Sequence, residues 1–451
     1  MKRSGTLNMT TGRPLSLLFR FSIPLLIGNL FQQAYNIADS VIVGRLIGAN
    51  ALASVGSTAS VTFLFFSICN GISSGAGIVT AQFFGADDEE KVKRSISNSA
   101  YIMLFSAFVM GSVAFLLSPS VLRLLGTPEE ILPDAILYMR MMSIGVTMTA
   151  VYNYSASMLR ALGDSRTPLY FLIISSIINV CLDITLVGKC GMGVFGAALA
   201  TMISQLLSGA GCLAYAAKNN PYFRLEKKDL VPEMTIILRA VKIGVPLALQ
   251  WSLIAVSTTA LQRFVNSFGA VAVAAFTATS RIEQLVHQPY GSLSLALSTY
   301  SGQNYGAKRY DRVKKGFNDG MLVVLVFSAL MFLGVRVFAK GIIGIFIKET
   351  DVMEMGAMAL KLTSWFYLLL GMIYVTRGIQ NGIGDALFAL INGIVEVACR
   401  VMLPIAFVLL PGVGVKGIWL TAGLTWAISA IFCLLRYFSW KNSRTKKEVT
   451  V

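Results

Sequence analysis

Several acidic and amide side chains lie inside long apolar stretches of this chain. Asp39 follows Tyr35 by four residues, so both lie on one face of a helix, and Asn179 and Asp183 have the same spacing. A carboxylate with an amide oxygen suits Na⁺, and a carboxylate alone can carry H⁺. Because a charge inside a bilayer costs roughly 2.5–3.5 kcal/mol, these residues are the first candidates for a cation site. Thr201 can add a hydroxyl.

Each of these positions also has a simpler interpretation. Asp39 at the end of a helix would reach the outer membrane interface, and Asn179 with Asp183 would form a structural hydrogen bond between helices. The functional interpretation of Asp39 is favoured because Tyr35 and Gln32 accompany it on one stripe, as in the wall of a cavity.

Two further polar groups lie in the second half of the chain. Glu396 and Arg400 are four residues apart, and we expect them to form a structural ion pair rather than to contact a ligand. Glu283 lies between Arg281 and His287, where it would attract a cationic substrate or belong to a partnered polar patch.

The composition requires a membrane around these residues. Of 451 residues, 55% are hydrophobic and 13% are charged, whereas about a quarter are charged in soluble domains. In a bilayer, apolar stretches of about 20 residues must be helical because every backbone polar group needs an internal partner. Hydropathy predicts twelve such segments, at 15–43, 54–84, 95–119, 134–157, 167–189, 193–217, 237–265, 275–304, 316–339, 355–380, 387–410 and 415–437.

Several chemistries are excluded by what the chain contains. His287 is its one histidine, which argues against histidine metal sites and against a membrane-embedded enzyme. The six cysteines lack the close spacing of a metal site or a disulfide framework. The phosphate loop of ATPases is missing from the sequence. We therefore expect no enzyme activity and no cofactor, and an ion gradient as the source of work.

Basic residues concentrate in alternate connections, at 218–239, at 308–315 and in the tail at 436–447. The connection between the third and fourth segments instead holds Glu129 and Glu130. The positive-inside rule predicts a multi-pass protein of the cell membrane with both termini in the cytoplasm. The net charge of +16 then reflects topology and contact with membrane lipid, and no nucleic acid partner is expected.

The chain repeats itself at an offset of 221 residues. Gly48 and Ala49 correspond to Gly269 and Ala270, and the offset recurs at three other places. At the first of these places, Gln82, Gly85 and Ala86 correspond to Gln303, Gly306 and Ala307. At the second, Gly163 and Asp164 correspond to Gly384 and Asp385. At the third, Gly193, Val194 and Gly196 correspond to Gly414, Val415 and Gly417.

This repeat predicts an all-α membrane protein with twelve transmembrane helices in two six-helix lobes. Six helices per lobe imply a pseudo-two-fold axis along the membrane normal and a central cavity, as alternating access requires. We assign residues 1–217 to the N-terminal lobe, 218–239 to a cytoplasmic linker and 240–451 to the C-terminal lobe with its basic tail. The acids are specific to the first lobe, since Arg400 and Pro404 correspond to Asn179 and Asp183.

Over nearly its full length the sequence resembles the MATE family (multidrug and toxic compound extrusion). The features that carry the resemblance are Pro24 with Asp39, Ala81-Gln82-Phe83-Phe84-Gly85-Ala86, Leu159-Arg160-Ala161-Leu162-Gly163-Asp164, Asn179 with Asp183, and Gly302-Gln303-Asn304-Tyr305-Gly306-Ala307.

The resemblance implies an exporter of lipophilic, often cationic, organic compounds coupled to Na⁺ or H⁺. By resemblance, the cation site comprises Asp39, Asn179, Asp183 and Thr201. Gln32, Tyr35 and Asn153 would line the central cavity. Pro24 would kink the first helix, because proline removes a backbone hydrogen bond.

Together these features predict a secondary active efflux antiporter. The alternatives are a flippase for lipid-linked precursors or metabolites, which would need more arginines near the cavity, and the membrane-embedded enzyme disfavoured above. The natural substrate, the resting conformation and the choice between Na⁺ and H⁺ stay open. A monomer is sufficient, because one chain would hold the whole transport path.

Overall fold

The computed structural model describes residues 6–410 and 412–449, and these contain helices and turns but no strand. Two of the membrane-spanning segments change helix type along their length. The α5 helix continues as a π-helix at Ile184–Lys189, and a 3₁₀ turn at Ser364–Phe366 separates α10 from α11. The helices are α1 (Pro14–Leu46), α2 (Ala49–Gly85), α3 (Glu89–Leu124), α4 (Leu132–Ala161), α5 (Arg166–Asp183), α6 (Gly193–Asn219), α7 (Met234–Asn266), α8 (Ala270–Gly306), α9 (Tyr310–Gly344), α10 (Thr350–Thr363), α11 (Tyr367–Gly382), α12 (Ala386–Leu409) and α13 (Gly417–Val449).

The predicted all-α fold with twelve transmembrane helices is confirmed. Eleven helical segments among the described residues are long and apolar enough to cross a membrane, with α10 and α11 counted as one span. The twelfth helix, α8, is 37 residues long but more polar, because Arg281, Glu283 and His287 interrupt its apolar run.

The predicted repeat is also confirmed, and it extends to the turns. Asp87 and Lys308, which are 221 positions apart, both have a φ near +60° (58° and 59°), and no other described non-glycine residue has a positive φ. Gly163 and Gly384 repeat a left-handed turn with φ of 85° and 87°. Glycine adopts this conformation without steric cost, so the two halves enter their next helices by the same geometry.

The chain divides into two compact units. The first contains residues 6–9 and 23–249, and within it α4 packs against α2, α3 and α6, while α5 packs against α6. Unlike the predicted lobe, this unit includes the linker and the beginning of α7. Close backbone contacts explain the difference, because a Cβ on Gly75 would lie 2.5 Å from the amide nitrogen of Gly244.

The second unit contains residues 10–22 and the described residues from 250 onwards. Within it α11 packs against α8, α9 and α13, and α12 packs against α13. It therefore includes the first turns of α1, which the predicted boundaries place in the N-terminal lobe. The guanidinium of Arg309 donates a 2.8 Å hydrogen bond to the carbonyl of Thr10, which helps to fix this segment.

Candidate cation site

Two acids on different helices of the first unit come together. Asp39 lies on α1 and Asp183 is the last residue of α5, and their carboxyl groups lie within electrostatic range of each other. Asp183 is fully buried, whereas Asp39 is partly exposed, with a buried Oδ1 that has no hydrogen-bond partner in the described structure. Two neighbouring carboxylates repel each other, so a proton or another cation between them stabilises the pair.

Asn179, Thr201 and Tyr35 complete the cluster. The amide nitrogen of Asn179 lies 3.4 Å from the Thr201 hydroxyl, and Thr201 also donates to the carbonyl of Ala197 at 3.2 Å. The hydroxyl of Tyr35 lies close to Thr201 and within electrostatic range of Asp39 and Asp183. The structure thus brings together all four residues of the predicted cation site, with Tyr35 beside them.

The helices α1 and α5 account for this geometry. Tyr35 and Asp39 are one turn apart on α1, as Asn179 and Asp183 are on α5. The π-helix begins directly after Asp183, and π-bulges often occur at functional sites because they redirect neighbouring side chains. The amide of Cys190 closes this segment with a 2.9 Å bond to the carbonyl of Thr185.

The cluster offers oxygen ligands for a single small cation. Among the described residues no three His, Cys, Asp or Glu side chains gather at one place. A cation here would therefore depend on the two carboxyl groups together with amide and hydroxyl oxygens. That donor set suits H⁺ or Na⁺ and lacks the soft ligands that zinc or copper prefers.

Tyr138 on α4 is a site residue that the sequence analysis missed. Its half-buried hydroxyl lies within electrostatic range of Asp39, Tyr35 and Asp183. A signal was present, because the repeat partner of Tyr138 is Ala359. The tyrosine, like the acids, is specific to the first half of the chain.

The other predicted residues of the first unit are not among those that the structure brings together at the candidate cation site. Gln32 is exposed on α1 and Asn153 is half-buried on α4, where its carbonyl accepts a 3.0 Å hydrogen bond from Ser73. Pro24 lies inside α1. Their roles in the cavity wall and in a helix kink stay predictions.

Glu283 lies in the second unit, so it is not part of the cation cluster. Its side chain lies near Thr363 at the end of α10, and its buried Oε1 has no hydrogen-bond partner among the described residues. Arg400 and Tyr367 are within electrostatic range. Contact with a substrate stays a prediction for this residue.

The predicted ion pair between Glu396 and Arg400 is wrong. Glu396 instead pairs with Arg377 of α11, and Arg400 donates a 2.8 Å hydrogen bond to the hydroxyl of Ser257 on α7. The side chains of Glu396 and Arg377 are 6% and 12% exposed. Spacing along α12 alone could not reveal this partner, because Arg377 approaches from a neighbouring helix.

Comparison with known proteins gives matches along the whole chain. The family model MatE matches residues 24–185 and 246–406. These ranges are the two repeats found in the sequence, and the first includes Asp39, Asn179 and Asp183.

Curated relatives match over nearly their full lengths. The chain is 30% identical over 444 residues to the probable multidrug resistance protein YpnP of Bacillus subtilis (strain 168), covering 98% of this chain and 99% of that protein. It is 28% identical over 440 residues to YoeA of the same organism, also named a probable multidrug resistance protein, covering 95% and 94%.

A solved structure shows the same fold. The crystal structure of a MATE protein in the bent conformation superimposes with a TM-score of 0.91 and 24% identity, over 98% of each chain. At that identity the likeness concerns the fold alone.

Proposed function

This chain belongs to the MatE family of transporters, and we propose that it is a secondary active exporter of lipophilic or cationic organic molecules, driven by inward flow of Na⁺ or H⁺. The family is one of transporters and not a class of enzymes. Export of drug-like compounds is supported by the names of the relatives YpnP and YoeA. Ion coupling is supported by one observation above all, the close approach of two acids, Asp39 and Asp183, inside a membrane protein.

The pair supplies a physical reason for coupling. Two neighbouring carboxylates repel each other, and Asp183 is also buried away from water, so one proton or one Na⁺ shared between Asp39 and Asp183 lowers the cost of keeping them together. The loaded pair therefore favours a different arrangement of α1 and α5 from the empty pair. Transport follows if cation and organic substrate favour different states, because each ligand shifts the equilibrium by its differential affinity.

The orientation follows from charge. We place both termini in the cytoplasm of a plasma membrane protein, since the basic connections 218–239 and 308–315 lie on one side. Cations then enter the site from outside while substrate leaves. Membrane lipid is the constant partner, and one chain is sufficient for the cycle.

The test is efflux of a fluorescent organic cation from proteoliposomes. A Na⁺ gradient and a pH gradient are imposed separately on wild type, Asp39→Asn and Asp183→Asn. The matched control is Asp134→Asn, which changes an exposed acid at the start of α4. We expect one gradient to drive efflux in wild type and in the control, and neither gradient to drive it in the two site variants.

The choice of gradient identifies the coupling ion. Efflux that ignores both gradients in wild type would overturn the exporter proposal. Gradient-driven efflux that persists in Asp39→Asn and Asp183→Asn would keep the exporter but remove the acid pair from its mechanism.

A further inference from the structure

The connection between α6 and α7 (residues 220–233) is folded and docked on the first unit. It forms two 3₁₀ turns, at Pro221–Phe223 and Lys227–Leu230. Tyr222 is buried, and its ring packs edge-to-face against Phe84 at the end of α2, with centroids 5.5 Å apart. The connection is therefore a fixed surface feature.

Its last residues are tied to α3 by hydrogen bonds. The Tyr101 hydroxyl donates to the carbonyl of Leu230 at 2.7 Å, and the Asn98 amide donates to the carbonyl of Val231 at 3.4 Å. The amide of Glu233 donates to Asn98 Oδ1 at 2.8 Å. These bonds satisfy backbone groups of the connection and hold its last residues against α3.

Large apolar side chains are exposed in this part of the chain, beside exposed charged ones such as Lys227 and Lys228. Leu230, Val231, Met234 and Leu238 are 44%, 57%, 63% and 60% exposed. Four large apolar side chains along one short segment would be unfavourable in water, at about 25 cal/mol for each Å² of apolar surface.

The position of Asn98 and Tyr101 along α3 gives the depth of this patch. No charged residue lies between Arg94 and Arg123, a stretch of about 40 Å in a helix and roughly 10 Å longer than the hydrocarbon core. If the excess is shared between the ends, Asn98 lies about 6 Å beyond Arg94, at the edge of the hydrocarbon. Tyrosine is typical of that depth.

The start of the connection lies at a different level. Lys228 and Asp229 line an open cleft of about 320 Å³ together with Glu89, Glu90 and Lys93 of the first turns of α3. A cleft walled by five charged side chains is a watery environment. The connection therefore descends along α3, from the charged first turns at Lys228 to the apolar part at Val231.

We propose that the α6–α7 connection and the first turns of α7 together form an interfacial membrane anchor, which inserts Leu230, Val231, Met234 and Leu238 among the acyl chains at the boundary with the phospholipid headgroups. Lys227 and Lys228 precede the inserted residues and lie at the level of the phosphates, which attract them. The partner is the phospholipid layer around the protein. The arrangement matches interfacial segments with apolar residues in the acyl boundary and lysine at its polar edge.

The test places a bimane fluorophore at two positions of the full-length protein. Val231→Cys reports the proposed insertion, and Lys228→Cys is the matched control three residues away. The accessible native thiols at Cys181, Cys190 and Cys399 are first changed to alanine. Bimane is then quenched in liposomes by aqueous iodide and by phospholipid with a spin label near the top of its acyl chain.

At Val231 we expect iodide quenching at least about threefold weaker than at Lys228, with lipid quenching stronger in the same proportion. Equal iodide access at both positions would place the patch in water and overturn the proposal. Protection from both quenchers would also overturn it, since a second copy or another protein would then cover the patch. Met234→Cys provides a second inserted position should Val231→Cys fail to fold.

Discussion

The two halves of this chain share a fold but place their buried polar groups differently. In the first unit Asn179 and Asp183 of α5 belong to the cation cluster, while Arg400 and Pro404 occupy the corresponding positions of α12. Arg400 donates to Ser257 and forms no ion pair with an acid among the described residues. The same helix position thus serves an acid pair in one half and a neutral contact in the other.

A second location shows the opposite distribution. Thr62 and Met142 of the first unit line a small cavity of about 10 Å³, too tight for more than a single water. Their repeat partners are Glu283 and Thr363, which lie near each other beside a 3₁₀ break in the helix. At this location the polar cluster belongs to the second unit.

The two halves therefore share the arrangement of their helices but differ in which buried positions carry charged side chains. A buried charge needs local partners from neighbouring helices, and a few substitutions can supply or remove them without altering the fold. The acids of the first unit stand beside another acid, a hydroxyl and an amide, which suits a cation that comes and goes. Glu396 in the second unit has a permanent cation, Arg377.

Removing the permanent cation gives the largest expected effect. Arg377→Met leaves Glu396 buried without its partner and should lower the free energy of unfolding by about 3–5 kcal/mol. Arg436→Met breaks the more exposed 2.8 Å pair with Asp385 and should cost about 0–1 kcal/mol. Denaturant or thermal unfolding in detergent measures both, and similar losses in the two variants would show that Arg377 is not a buried structural cation.

Next in size is loss of coupling from the first unit. Asp183→Asn should reduce gradient-driven efflux at least about a hundredfold, equivalent to roughly 2.7 kcal/mol, with stability retained because one like-charged neighbour is gone. Glu283→Gln should leave gradient dependence intact. A loss of gradient dependence in Glu283→Gln comparable to that in Asp183→Asn would break the contrast between the units.

A smaller loss of stability is expected at the close contact between α2 and α7 in the first unit. Gly75→Ala drives a Cβ into the backbone of α7, with the amide nitrogen of Gly244 at 2.5 Å and the carbonyl oxygen of Ala240 at 2.6 Å. This overpacking should cost about 1–3 kcal/mol. The repeat position already holds Ala296, and Ala296→Gly should cost about 0.5–1 kcal/mol. Thermal unfolding compares them, and a neutral Gly75→Ala would mean that α2 and α7 separate at no cost.

The smallest effect concerns a single hydroxyl. Thr201→Val removes the hydrogen bond with Asn179 while keeping the shape of the side chain. A hydrogen bond contributes about 0.5–1.5 kcal/mol, so the coupling-ion concentration for half-maximal efflux should rise roughly three- to tenfold. Ser204→Ala on the same helix, whose hydroxyl binds only the carbonyl of Thr201 in the described structure, should leave that concentration unchanged. An unaltered value in Thr201→Val would remove this hydroxyl from the site.

The sequence by itself determined the fold class, the repeat and the acids of the candidate site. Long apolar segments can only be helices in a bilayer, because the backbone has no other hydrogen-bond partners there. The offset of 221 follows from identical turn residues, such as Gly163 and Gly384. The positions of Asp39 and Asp183 stood out because charge in an apolar helix is costly.

Only the tertiary structure decided which side chains meet. Tyr138 joins the cluster and Arg377 rather than Arg400 pairs with Glu396, because each partner comes from a different helix and not from the same helix face. The boundary between the units was likewise hidden. It depends on how closely α7 approaches α2 at Gly75 and Gly244, and helical periodicity defines the face of a helix but not the neighbour that the face contacts.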